Sequence, residues 1–243
     1  MTTAQRPAFY ALAPGGWRDY VTLLHPPYTL WHLSYVVIGA SLAPELDWQR
    51  LAWGLAAFFL GLGVGAHALD ELNGRPLATR IPSRVLVALA IASIGAGAAI
   101  GIAAAIAWNP WLLAFVFVGV LLAVGYNLEL FGGLLHGDVW FALAWGAFPL
   151  LTGYFGAAET ITVEAVIAAA AAYALSRAQR HLSSIVRAIR RGTAHVSGEI
   201  VYADGRREAI DTETLVAAPE RALKAMAFAV VALAVALVSI RLA

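Results

Sequence analysis

Residues 84–107 read RVLVALAIASIGAGAAIGIAAAIA, and from Val85 to Ala107 no residue is charged. A run of that length is about what an α-helix needs to cross the ~30 Å hydrocarbon core of a bilayer. Lipid offers the backbone no hydrogen-bond partners, so each amide must be paired within the segment, and the run reads as a transmembrane helix. Its alanines and glycines allow neighbouring helices to approach closely, which predicts a place inside a bundle.

Outward from this stretch, comparable apolar runs cover about 27–43, 49–70, 111–129, 138–157, 161–181 and 222–241. The pattern predicts an all-α, polytopic membrane helix bundle of about seven transmembrane helices. Composition agrees. The 243 residues are 61% hydrophobic and 13% charged, against about 25% charged in soluble domains. That is too little charge to cover a soluble surface of this size. Trp31, Trp48, Trp53, Trp108, Trp111 and Trp140 lie near run ends, where interfacial anchors belong. The chain has no cysteine, which excludes disulfides and zinc–thiolate sites. A net charge of +1 gives no basis for a nucleic-acid partner; the expected surroundings are membrane lipids.

The basic residues set an expected orientation. With the N-terminus in the cytoplasm, Arg6, Arg18, Arg75, Arg80, Arg84 and the basic residues from Arg177 to Lys224 all lie inside. Only Arg50 and Arg241 then lie outside. The positive-inside rule selects this multi-pass topology, with the C-terminus outside. Residues 1–24 are broken by Pro7, Pro14, Gly15 and Gly16, unlike a cleavable signal peptide. Trp17, Tyr20 and Leu23 suit an N-terminal interfacial segment, with a flexible tail as the alternative. The bundle proper is expected over 25–181, a cytoplasmic basic loop over 182–221 and a final transmembrane helix over 222–243. Within the loop, Asp204-Gly205 between two alternating runs predicts a small β-hairpin with a two-residue turn. Pro219, followed by Glu220, is expected to open the last helix.

Three clusters carry chemistry. His67, Asp70 and Glu71 stand at i, i+3 and i+4 at the end of the second run, hence on one helical face. Asn73 and Arg75 follow. Ionisable groups at a membrane helix end suggest function, and carboxylates suit magnesium; solvated residues at a helix end are the plain alternative. Tyr126, Asn127, Glu129, His136 and Asp138 lie between the fourth and fifth runs, and Asp138 also suits a helix N-terminus. Arg177, Arg180, His181, Arg187, Arg190 and Arg191 follow the sixth. Arginine forks match phosphate, although anionic lipid heads and topology marking also account for them. His25, His32 and His195 show no partner in the sequence.

These clusters resemble the UbiA superfamily of intramembrane prenyltransferases, as a divergent, shortened member, over about residues 25–181. His67, Asp70 and Gly74 stand at the family's first three-aspartate motif, and Arg75-Pro76-Leu77 follows. Gly137-Asp138, Trp145-Gly146-Ala147-Phe148-Pro149 and Gly153-Tyr154 are similar to its later conserved region. The chain departs from the pattern in keeping one of those aspartates, with Glu71 added. It has no carboxylate in Ser176–Ser184, where the second aspartate motif belongs.

The resemblance implies transfer of an isoprenyl group from a prenyl diphosphate to a small, lipid or aromatic acceptor. Asp70, Glu71 and Asp138 are then expected to hold magnesium, with Tyr126 as a further catalytic residue. His67, Asn73, Arg75, Asn127, Trp145, Tyr154, Arg177, Arg180 and His181 are expected to bind substrate. Two alternatives stand beside it. One keeps the fold without the reaction and binds a lipid or partner. The other is a metalloenzyme in which His67, Asp70, His136, Asp138 and His181 converge on iron or zinc.

Overall fold

A computed structural model of the chain describes residues 6–242. Residues 1–5, part of the expected interfacial segment, lie outside the described residues. Short helix α1 (Trp17–Leu23) leads into α2 (Pro26–Leu42). Then come α3 (Trp48–Leu72), α4 (Ser83–Ala107), α5 (Leu112–Asn127) and α6 (Asp138–Ala158). Helix α7 (Val163–Gly192), a hairpin of β1 (Gly198–Val201) and β2 (Arg207–Ile210), and α8 (Thr212–Leu242) complete the chain. The fold is thus an all-α bundle with one small hairpin, as the apolar runs predict.

Among the described residues four helices, α3, α4, α6 and α8, are long and apolar enough to cross a membrane. Helix α5 is apolar but shorter. The outer surface carries Ile91, Ile106, Phe117, Phe228 and Val235 largely exposed. Such a belt of large apolar side chains has lipid as its natural solvent, and the protein is integral to the membrane.

Helices α2 and α6 cross so closely that glycine is required on both. A methyl group on Gly39 would overlap the Leu150 carbonyl, and one on Gly153 would overlap the Val36 carbonyl. Around this crossing Trp31, Tyr35, Leu150, Ala172 and Val230 form the main core. The buried Trp31 Nε1–H donates to the Tyr35 hydroxyl at 2.7 Å, so the indole's one polar group is satisfied.

Two π-helical stretches interrupt the rods: Phe59–Ala66 in α3 and Leu143–Ala147 in α6. Such bulges rotate the following side chains and recur at functional sites. Here they supply Leu62, Ala66 and Trp145, which pack with Leu122, Ala123 and Tyr126 of α5.

The hairpin forms where expected, but its turn differs. Tyr202 and Arg206 still pair across it (Tyr202 N–H to Arg206 O, 2.8 Å), and Gly205 N–H reaches Tyr202 O at 2.9 Å. Gly205 sits at φ 84°. This is a three-residue loop closed by a left-handed glycine, not a two-residue turn. Helix α8 starts at Thr212 rather than at Pro219. Asp211 caps it, accepting from the Thr214 amide and hydroxyl at 2.7 and 2.8 Å. Pro219 therefore lies inside the helix and forfeits a backbone hydrogen bond. Arg190 of α7 compensates by clasping Glu213 and Glu220 on either side of it.

A candidate anion-binding cavity

The 25 residues of α3 span roughly 37 Å at 1.5 Å each, so the bundle has two distant ends. At the end holding His67 and Asp70 lies a polar cavity of about 270 Å³. Five elements build it. The N-terminal segment contributes Phe9 and Tyr10, the start of α2 His25, Tyr28 and His32, and α3 Leu62, Ala66, His67 and Asp70. The α5–α6 region adds Tyr126, Asn127, His136, Phe141 and Trp145. Helix α7 adds Gln179, Arg180, Arg187 and Arg191.

The described part of the N-terminal segment is held against the bundle. Leu12 N–H donates to Thr22 Oγ1 at 3.0 Å, Tyr10 Oη meets His25 Nδ1 at 2.7 Å, and Arg191 Nε donates to the Pro7 carbonyl at 3.1 Å. Burial pushes the Tyr10 hydroxyl well above its ordinary pKa. Burial first, and then His67 and the α7 arginines, hold His25 well below its own. A neutral phenol bonded to a neutral imidazole is the result.

Four histidines meet here. The His25 and His67 rings stack at 4.2 Å. His32, His67 and His136 each bring Nδ1 to a backbone carbonyl, those of Trp145, Gly63 and Tyr126, at 2.7, 3.0 and 2.9 Å. A carbonyl can only accept, so each Nδ1 carries the proton, and in the neutral ring Nε2 is left as an acceptor. His25 Nε2, Tyr126 Oη and Gln179 Oε1 are buried, with no hydrogen-bond partner among the described residues. Buried polar atoms are nearly always paired, so three orphans around one cavity mark a place for a ligand.

Against the polar cavity lies an apolar chamber of about 150 Å³, lined by small residues such as Gly54, Ala57, Gly97 and Gly101 and by Phe115 and Phe148. Leu62 and Trp145 line both spaces.

No protein-family model matches the chain, and no curated protein matches it either. Among solved structures, a UbiA homolog from Archaeoglobus fulgidus, determined bound to Cd2+, superposes with a TM-score of 0.56 at 19% identity. The match covers 90% of this chain and 76% of that one. The chain has the UbiA fold.

Within the UbiA fold, the site expected from sequence is partly assembled. Asp70, His67, Tyr126, Asn127, Trp145 and Arg180 all line the polar cavity. Glu71 does not. Its carboxylate is fully buried and accepts from Leu77 N–H, Thr79 N–H and Thr79 Oγ1 at 2.9, 2.8 and 2.8 Å. It organises the loop after α3, since residue i+4 is rotated about 100° from residue i+3 and meets a different neighbour. Arg75 serves the same loop, donating to the Ile81 carbonyl and to Ser83 Oγ, both at 2.6 Å. Asn73 Nδ2 donates to Glu129 Oε1 at 3.2 Å. Asp138 opens α6 near the surface, its carboxylate 3.1 Å from Arg180 Nε and 4.0 Å from Arg177 Nη1. His181 is exposed. Tyr154 lies at the far end of α6, its hydroxyl 3.0 Å from Thr162 Oγ1.

Sequence reasoning left out Tyr10, Tyr28 and Gln179, and it gave His25, His32, Arg187 and Arg191 no defined site. For the arginines a signal existed. Positions 180, 187 and 191 fall on one face if the helix runs on past residue 181, as α7 does.

The donor set does not fit magnesium. That ion prefers carboxylates and water, and the cavity offers it Asp70 alone beside three arginines. Glu71 and Asp138 are committed elsewhere. Among the described residues, no three His, Asp or Glu side chains gather as a metal site, so the iron or zinc alternative lacks its ligand set as well.

Proposed function

We propose that the protein binds a prenyl diphosphate and transfers the prenyl group to a small or lipid acceptor. The observation carrying this reading is that Leu62 and Trp145 line both a polar cavity bearing three arginines and an apolar chamber. A ligand suited to both has an anionic head and a long hydrocarbon tail. The chamber runs beside α3 from Leu62 to Arg50, roughly 18 Å of helix, which accommodates an extended isoprenoid tail.

In this reading Arg180, Arg187 and Arg191 stabilise the charge that develops on the departing diphosphate, which is where fixed electrostatics lower a barrier most. The bond between the allylic carbon and the diphosphate oxygen breaks, and pyrophosphate leaves with the electron pair. The aromatic wall of Tyr126, Phe141 and Trp145 faces the resulting cation and excludes water. The acceptor's nucleophilic atom then bonds that carbon, and its proton passes to Nε2 of His67. Asp70 and Asn127 orient the acceptor. In this reading the cavity opens at the cytoplasmic leaflet, with the N-terminus on the same side, a placement supported by the positive-inside pattern.

The test uses the full-length protein in nanodiscs with geranylgeranyl diphosphate and extracted membrane lipid. Pyrophosphate release and a prenylated product by mass spectrometry are expected, both reduced at least tenfold by Asp70→Ala. Release with none of a panel of donors would end the transfer reading. The scarcity of carboxylates favours a second reading, a lipid-binding protein without transfer. It predicts a co-purifying amphiphile and no pyrophosphate.

A further inference from the structure

The cavity combines a shortage of carboxylates with a surplus of guanidinium groups, and both belong to one surface. Arg180, Arg187 and Arg191 come from a single face of α7. Arg180 spends its Nε on Asp138, and Arg191 spends its Nε on the Pro7 carbonyl. Arg187 makes no hydrogen bond or ion pair with any described residue. Burial first, and then Arg180 and Arg191, push its pKa down, with only Tyr126 and Asp70 acting the other way. A guanidinium does not give up its proton, so the charge stays in the cavity, and an anion beside it would offset the neighbouring positive charges. The Tyr126 hydroxyl, on a side chain only 4% exposed, is a donor without an acceptor in the same space.

We propose that the cavity holds a phosphorylated head group directly between Arg180, Arg187 and Arg191, with Tyr126 Oη donating to it, and that no divalent metal takes part in this binding. Guanidinium forks reach phosphate oxygens in pairs and replace the charge that a metal would supply. A divalent cation in the same space meets three positive groups and one carboxylate. This rests on the reading of the cavity as a head-group site but not on prenyl transfer.

The experiment is calorimetric titration of the full-length protein in nanodiscs with geranylgeranyl diphosphate, and separately with inorganic pyrophosphate, first in EDTA and then with magnesium in excess. Binding in EDTA, weakened or unchanged by magnesium, is expected. Losing one charge-assisted contact predicts affinity lower by about tenfold or more in Arg187→Gln, and a smaller loss in Tyr126→Phe. Arg206→Gln, in the exposed hairpin, removes the same charge and is expected to bind as the parent does. A prenylated ligand that binds at least tenfold better than pyrophosphate supports an amphiphile head group. Equal affinity supports capture of a free phosphate compound by the same arginines. Binding that appears only with magnesium, no binding in either buffer, or an Arg187→Gln protein that is folded by circular dichroism and binds normally would overturn the proposal. Binding in EDTA without any pyrophosphate release would leave it standing while the transfer reading failed.

Discussion

The two ends of the bundle differ in their arginines: away from the cavity Arg50 and Arg241 are tied into the fold, while at the cavity end Arg187, unlike Arg75 and Arg190, is not. At the end away from the cavity, Arg50 donates to Glu159 at 2.7 Å and lies over the Trp108 ring. Arg241 donates to the carbonyls of Ser41, Ala43 and Pro44 at the C-terminus of α2, where a cation also complements the helix dipole. These two charges close the structure. At the cavity end Arg187 has no such partner. Sequence shows sixteen basic residues of similar standing; hydrogen bonding and position together separate those that hold the fold from Arg187, which lines the cavity unpaired.

The sharpest check on that division is Arg190, three residues from Arg187 on the same helix. Its side chain is 5% exposed and joins Glu213 and Glu220, the latter 9% exposed. Truncation leaves a buried, unpaired carboxylate, which costs about 3–5 kcal/mol. Arg190→Ala is expected to lower the thermal unfolding midpoint more than any other arginine substitution, and a midpoint near that of the parent would break the division. Glu71→Ala comes next. It strips two amides and a hydroxyl of their acceptor, at about 1–3 kcal/mol each where they stay dry. The loop over 73–82 should become open to proteolysis, while binding of a prenyl diphosphate changes less than in Arg187→Gln. Retained protection of that loop would mean that Glu71 is not its organiser.

Much of this organisation was legible in the sequence. Apolar run length gave the rods, because lipid leaves the backbone few choices. The basic bias pointed to the end where the cavity lies. The site itself was legible only where one helix determines it. Asp70 and His67 face the cavity together because three residues make most of a turn. Glu71 shared their spacing but met the Leu77–Thr79 loop, and spacing about an axis does not reveal which neighbour stands there. Tyr154, expected to bind substrate, stands sixteen residues beyond Asp138, roughly 24 Å along the helix and away from the cavity. His25 and His32 reach the cavity only through the packing of α2 against the other helices, which no local pattern encodes.

Arg241→Ala is expected to cost about 1.5–3 kcal/mol, the range for hydrogen bonds to a charged group. It should release the end of α2, read as faster amide exchange over 38–43, without altering ligand affinity. The Glu159 clasp gives a pH handle at the same end. Hydrogen bonds from Arg50 first, and then from Asn109, hold the Glu159 carboxyl below its ordinary value. A depressed folded pKa means a contribution present above the unfolded value and lost as pH falls through the folded one. Acidification below the usual glutamate range should therefore loosen this end slightly, and Glu159→Gln should remove that pH dependence. The same dependence in the Gln variant would show that other groups cause it.

Arg187→Met is expected to give the smallest change in stability, and of the opposite sign. The substitution keeps an unbranched chain of similar reach and removes a partly buried charge that contributes no bond to the fold. Replacing an uncompensated ion with an apolar group is neutral or stabilising, and sites kept for ligands commonly trade stability for function in this way. The unfolding midpoint of the ligand-free protein should stay level or rise by a few degrees. The extra stabilisation that a prenyl diphosphate confers on the parent should shrink, by about 1.4 kcal/mol for each tenfold loss of affinity, because a ligand stabilises only the state it binds. A fall in midpoint comparable to that of Arg190→Ala would mean that Arg187 holds the fold together, and the two ends would then use arginine alike.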